Sequence, residues 1–279
     1  MRGPILIFDS GVGGLSVVAA LRQRLSGAAL AYVCDDAMLP YGTKNDDWLV
    51  ARIVSVCETA VRQSGASVLV VACNTASTLA LDALRERLAV PVVGTVPAIK
   101  PAARLSCSRH LALLATSATV NRAYTQALID DFAADCRVLR LAADPLVEQA
   151  ERWLVGGALD QQMMANCLAP LWDDAKLDTV VLGCTHFPLL REALEAAAPR
   201  PVTWIDSGDA IARRVAQVVI RPAPLNGPGP AWVTGPEARL ASALAAYGFA
   251  APRYLEVPLP GKQTSPVPDG SPTFIDADL

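Results

Sequence analysis

Two stretches, SVLVVAC over 67–73 and DTVVLGC over 178–184, decide how this chain is read. Each is an apolar, β-branched run that ends in a cysteine. Each then continues into a polar pair and a helical pattern, CNTASTL after the first and CTHFPLL after the second. Short apolar runs of this kind, bounded by small polar residues, read as buried strands of a parallel sheet. A thiol therefore stands at the end of a strand and the start of a helix twice in one chain.

Working outward, PILIFDS, ALAYVCDD, VPVVGTV, HLALLATSATV, CRVLRLA and PVTWIDS read as further strands. Helical patterns alternate with them over 14–25, 47–65, 124–133, 144–154, 159–171, 188–197 and 209–219, with two more ending near 88 and 106. Such alternation argues for largely parallel sheets covered by helices. The layout restarts at HLALLATSATV, which repeats the strand, small polar turn and helix of PILIFDSGVGG. The fold expected is α/β, with two pseudo-symmetric α/β domains and an active site in the cleft between them. The first domain takes 1–97 and 210–260, the second 98–209. RPAPLNGPGPAW reads as a linker, after which WVTG, a helix over 237–247 and PRYLEVPL pack back on the first domain. The tail, 261–279, is rich in Pro, Gly and Ser and is expected to be disordered.

The bulk properties remove several function classes. The chain has 279 residues, 52% hydrophobic and 18% charged, with a net charge of −3 and a pI near 5.4. No basic footprint points to nucleic acid. No apolar run approaches the ~20 residues of a membrane helix, and MRGPILIFDSG reads as a first strand, not a signal peptide. Seven cysteines, an odd number without C-x-x-C, argue against a disulfide framework or zinc knuckle and for a reducing cytoplasm. With His110 and His186 as the two histidines, no histidine-rich metal site can be built, so no metal is expected.

Ligands of parallel α/β sheets bind at the carboxyl ends of the strands. Four turns lie there: Asp9-Ser10-Gly11, Cys73-Asn74-Thr75, Thr116-Ser117 and Cys184-Thr185-His186. Each precedes a helix whose first N–H groups attract anions, so together they can hold a small carboxylate. Tyr41 and Gly42, in LPYGTK, sit on a loop placed to close over such a ligand. DSGVGGLS does not fit G-x-G-x-x-G, because Ser16 occupies the last position, and its glycines read as a tight strand-to-helix turn. The other five cysteines read as small buried hydrophobes. Cys73 and Cys184 differ, because a helix N-terminus is expected to lower a thiol pKa. Two acid/base groups in equivalent positions suit a racemase, which removes a proton from one face of a carbon and adds one to the other. Asp9 is placed to accept from a substrate ammonium or to tune Cys73, and His186 to tune Cys184. Glu148, in DPLVEQA, reads by itself as a solvated helix carboxylate.

IFDSGVGGLSV, LPYGTK, VACNTAS, VPVVGTVPAIKPA, PLVE, LGCTHFPLL and a late VTG, in this order over about 5–250, resemble the cofactor-independent glutamate racemases of bacterial cell-wall synthesis. The resemblance implies two catalytic cysteines, Cys73 and Cys184, and glutamate as substrate. It implies substrate contacts at Asp9, Ser10, Tyr41, Gly42, Asn74, Thr75, Thr185 and His186, and an acidic helper at Glu148. It implies no cofactor, a homodimer in many members, and in some a cell-wall precursor as activator. None of Lys44, Lys100, Lys176 and Lys262 follows a pyridoxal-binding pattern. Three rivals remain at this point: an aspartate racemase of the same superfamily, a cysteine-nucleophile hydrolase or amidase, which leaves one thiol without a role, and a non-catalytic amino-acid-binding protein.

Overall fold

The computed structural model describes residues 3–219 and 222–260. The tail from Gly261 lies outside them. Eight strands follow the sequence pattern: β1 (Ile5–Asp9), β2 (Leu30–Cys34), β3 (Val68–Val71), β4 (Val92–Val93), β5 (His110–Ala115), β6 (Arg137–Ala142), β7 (Thr179–Leu182) and β8 (Thr203–Ile205). Two more, β9 (Ala231–Val233) and β10 (Arg253–Tyr254), come from the terminal segment. The strands form two sheets, ordered β10-β9-β2-β1-β3-β4 and β6-β5-β7-β8, and all the strand pairs are parallel.

The internal repeat is visible in this order. The run β2-β1-β3-β4 recurs as β6-β5-β7-β8, so β3 and β7 hold equivalent places and each leads into a cysteine. The terminal segment adds β9 beside β2 and β10 beyond it, which returns it to the first sheet.

Burial explains the near-continuous apolar strands. β1 and β3 are buried throughout because helices cover both faces of the sheet. Ile5 and Ile7 face one apolar cluster with Val17, Val18 and Leu21, from the helix Leu15–Arg24. Leu6 and Phe8 face the other, with Ile53, Val56 and Ala60 from the helix Asp46–Ser64. The second sheet repeats the arrangement, with Leu114 and Val180 on one face and Leu113 and Val181 on the other. β6, at the edge, has only exposed and half-buried positions.

The two thiol turns are not equal. A regular helix, Asn74–Arg87, starts directly after Cys73. After Cys184 the chain makes a turn and a short 3-10 helix, Phe187–Leu190, before the helix Arg191–Ala196 begins. The expectation of a helix N-terminus at both thiols therefore holds only for Cys73. Pro188 lacks the N–H that a regular helix needs past its first turn, and it sits where the first half has an unbroken run. Among the described residues no helix is long and apolar enough to cross a membrane.

Candidate active site

A cavity of about 720 Å³ opens at the carboxyl ends of β1, β3, β5 and β7, with both sheets contributing to its wall. Cys73, Asn74, Thr75 and Ser10 line it from the first sheet, and Cys184, Thr185, His186 and Thr116 from the second. Tyr41 and Gly42 close one side. Asp9 lies beneath the lining, fully buried. The residues singled out in the sequence thus come together in one place.

Around Cys73, the Ser10 hydroxyl lies 3.4 Å from Sγ. Burial is the largest influence on this thiol and pushes its pKa up, with the charge of Asp9 adding to it; contacts from Ser10 and the Ala76 N–H pull the other way, and the result is about 12. The expectation of a lowered thiol pKa is corrected here. One helix N-terminus does not offset full desolvation of a thiolate.

Asp9 accepts from the Gly11 N–H at 2.9 Å and from the Thr185 hydroxyl at 3.1 Å, which joins the first sheet's turn to the second's. Burial raises its pKa from 3.8 to about 6, against the lowering influence of His186. A carboxyl whose pKa is higher in the fold than in the unfolded chain favours folding when protonated. That contribution is full below about 4 and is lost as pH rises through about 6. Asp9→Asn is therefore expected to raise the melting temperature at pH 8, where burying the charge costs on the order of 3 kcal/mol at most. The gain should vanish at pH 3.5 while activity falls at every pH. Equal melting curves at pH 8, or a gain that persists in acid, would contradict this origin of the shift.

The second thiol has a different neighbourhood. Cys184 Sγ lies 3.7 Å from His186 Nδ1, and His186 Nε2 lies 2.9 Å from Glu151 Oε1. The same oxygen accepts from the Val12 N–H at 2.8 Å. Burial by itself lowers the His186 pKa, but hydrogen bonds to Cys184 and Glu151 outweigh it and hold the imidazole well above its usual value. Burial raises the Glu151 pKa in turn, and the hydrogen bond and charge of His186 overcome it, so the carboxyl ends below its usual value. Both directions favour an imidazolium beside a carboxylate, a form that leaves one N–H for the sulfur.

Glu148 lies on the cavity wall but is exposed, and no hydrogen bond ties it to either thiol half. The carboxylate in contact with His186 is Glu151, three residues and so just under one turn further along the helix Pro145–Leu154. Glu148, expected as the acidic helper, thus makes no contact with a thiol's partner, whereas Glu151 on the same helix meets His186.

Three expected donors are already engaged. The Tyr41 hydroxyl donates to Asp35 Oδ2 at 2.8 Å and so is spent inside the fold. The Ser117 N–H donates to Asp144, and the Thr116 hydroxyl lies 3.2 Å from that of Thr119. Asp35 was not singled out in the sequence, yet it also takes a two-point contact from Arg52 at 2.6 and 3.1 Å and the Thr234 hydroxyl at 2.7 Å. Asn74 Oδ1 is the opposite case, buried without a partner at the cavity wall. Among the described residues no group of three or more His, Cys, Asp or Glu is placed to hold a metal ion.

Comparisons with known proteins agree with this geometry. A family model described as Asp/Glu/Hydantoin racemase matches residues 14–215. The chain is 51% identical over 219 residues to the glutamate racemase of Shewanella loihica, covering 78% of this chain and 82% of that one. It is 46% identical over 258 residues to the glutamate racemase of Sodalis glossinidius, covering 89% of each. Among solved structures it is similar to Escherichia coli glutamate racemase in complex with L-glutamate and activator UDP-MurNAc-Ala, with a TM-score of 0.88 and 41% identity over 92% of this chain and 99% of that one.

Proposed function

The chain belongs to the Asp/Glu/hydantoin racemase family, and within it we propose that this enzyme interconverts L- and D-glutamate by two-thiol proton transfer at Cα, without a cofactor, in a cleft between domains 1–97 with 210–260 and 98–209. D-glutamate made in the cytoplasm would supply peptidoglycan synthesis. The observation that carries the reading is the pair of cysteines at matching strand ends, both opening into one cavity.

The chemistry balances as an exchange. One thiolate takes the Cα proton and becomes a thiol. The other thiol gives its S–H proton to the opposite face and becomes a thiolate. Both thiols then re-equilibrate with solvent. Asp9 serves the Cys73 side, where a carboxylate titrating near 6 can accept the thiol proton. On the Cys184 side the His186 imidazolium holds the sulfur's charge, and Glu151 fixes the imidazole. Thr75 and Ser10 offer hydroxyls to the carboxylates of the substrate, with Thr116, Thr185, Tyr41 and Gly42 bounding it. The partnerless Asn74 Oδ1 suits its ammonium.

Racemisation in heavy water tests this. The enantiomer formed should carry deuterium at Cα from the first turnovers, while the recovered starting enantiomer stays largely protiated at low conversion. Product that retains protium early would sink the two-thiol mechanism in favour of one swinging base. Turnover of aspartate but not glutamate would overturn the substrate. The same assay run with and without UDP-MurNAc-Ala reads whether this enzyme shares the activator of its E. coli relative.

A further inference from the structure

We propose that Arg239 is a positioning residue for the Cys184 half of the site, a cation held in the cleft to fix the outer oxygen of Glu151. The inference rests on the racemase reading above and concerns how its second half is aligned. Glu151 Oε1 is fully engaged by Val12 and His186, but Oε2 is buried and has no hydrogen-bond partner. The cation that faces it is the Arg239 guanidinium, with Nη2 at 3.9 Å. A carboxylate held at one oxygen can still pivot about it. A charge on the other oxygen removes that freedom, and with it the freedom of the imidazole that aligns the Cys184 sulfur.

The guanidinium is itself aimed. Arg239 Nη2 lies 3.2 Å from Asp36 Oδ2. The other oxygen of Asp36 accepts the N–H groups of Thr234 and Gly235 at 3.1 and 2.8 Å. Those two residues form the turn from β9 into the helix Glu237–Ala246, which carries Arg239. Asp36 thus clamps the turn and the side chain that the turn delivers. Arg239 comes from the segment added to the first sheet, whereas Glu151 and His186 belong to the second half of the chain. This gives the terminal strand–helix–strand piece a task beyond extending the sheet. The Arg239 side chain is 43% exposed, so removing it leaves no core defect.

The test compares Arg239→Gln and Arg239→Lys with the wild type, using α-protiated and α-deuterated glutamate of both hands. The Gln variant should lose about tenfold in kcat with little change in KM, and Lys should recover most of the loss. The primary isotope effects on kcat/KM for the two enantiomers should move in opposite directions. Slower transfer at Cys184 makes Cα–H cleavage more limiting for the enantiomer that Cys184 deprotonates, and less limiting for the other, whose labelled bond breaks at Cys73 before the slowed delivery from Cys184. A general structural defect lowers both rates without redistributing the isotope effects. A rise in KM alone would make Arg239 a substrate contact and overturn the proposal. Unchanged isotope effects in a variant that still racemises would overturn it alone. A wild type that does not racemise glutamate would overturn the parent reading and this inference with it.

Discussion

Cys73→Ala and Cys184→Ala should each abolish racemisation, lowering kcat at least about a thousandfold, because on the proposed mechanism each removes the thiol that serves one face of Cα. The two sulfurs lie at matching strand ends and have no common partner, so neither can stand in for the other. Stability should hardly change. Both side chains are nearly buried, and losing one sulfur atom from the wall of an open cavity costs about 1 kcal/mol. Cys167→Ala, at a half-buried cysteine away from the cleft, is the control and should keep full activity. The position of Cys73 on the titration scale sharpens the expectation for serine. Its thiol, raised to about 12, is a protonated donor in the resting enzyme. Serine would keep the donor, but its hydroxyl is far too weak an acid to complete the cycle, so Cys73→Ser should be as inactive as the alanine variant. Chiral chromatography of glutamate after prolonged incubation measures all four proteins. Substantial racemisation by either alanine variant would end the two-thiol mechanism.

Much of this site was legible before any coordinates because its determinants are local. Apolar β-branched runs mark β1, β3, β5 and β7, and small polar residues mark the turns at their ends, so Asp9, Cys73, Thr116 and Cys184 could be assigned to one rim. The resemblance to glutamate racemases, read from motifs spread along the chain, is borne out by relatives near 50% identity. What stayed hidden depends on contacts between distant segments. Glu148 and Glu151 share a helix, and PLVEQAE does not say which of its carboxylates meets a histidine 35 positions away in the chain. The Asp35 cluster gathers Tyr41, Arg52 and Thr234, the last 199 positions removed. The raised pKa of Cys73 was missed for another reason. The turn is visible in the sequence but its depth is not, and here burial outweighs the helix end. VPVVGTV illustrates the reverse error, since only Val92 and Val93 of that run pair as a strand. The rest leaves the sheet edge for the helix Ile99–Leu105.

Gly11→Ala should cost about a hundredfold in activity while the fold survives, the size of effect that a misplacement of about 1 Å produces. The glycines of DSGVGG read in sequence as a tight turn, and the structure adds a second reason for them. A Cβ on Gly11 would stand 2.2 Å from Glu151 Oε1 and 3.1 Å from His186 Nε2; one on Gly13 would stand 2.6 Å from His186 Nδ1. The loop of the first sheet is thus pressed against the partners of the second sheet's thiol. The nearest obstacle to a methyl at Gly11 is the far end of a flexible side chain, so Glu151 can swing aside without moving backbone. In doing so it gives up the Val12 N–H and the imidazole together, at 2.8 and 2.9 Å. His186 then loses the carboxylate that keeps it charged and aligned with Cys184. The melting temperature should fall by roughly five to ten degrees, the loss of two buried hydrogen bonds, one of them between charged groups. Gly27→Ala, where a Cβ meets nothing within 4 Å, should leave both activity and stability unchanged. If Gly11→Ala unfolds the protein, the loop is a framework element first. If it leaves activity intact, Glu151 is not needed at His186. Loss of activity in a folded protein, with the isotope effects of the two enantiomers displaced in opposite directions, would place the damage at the Cys184 half, because Gly11 itself carries no group that takes part in the chemistry.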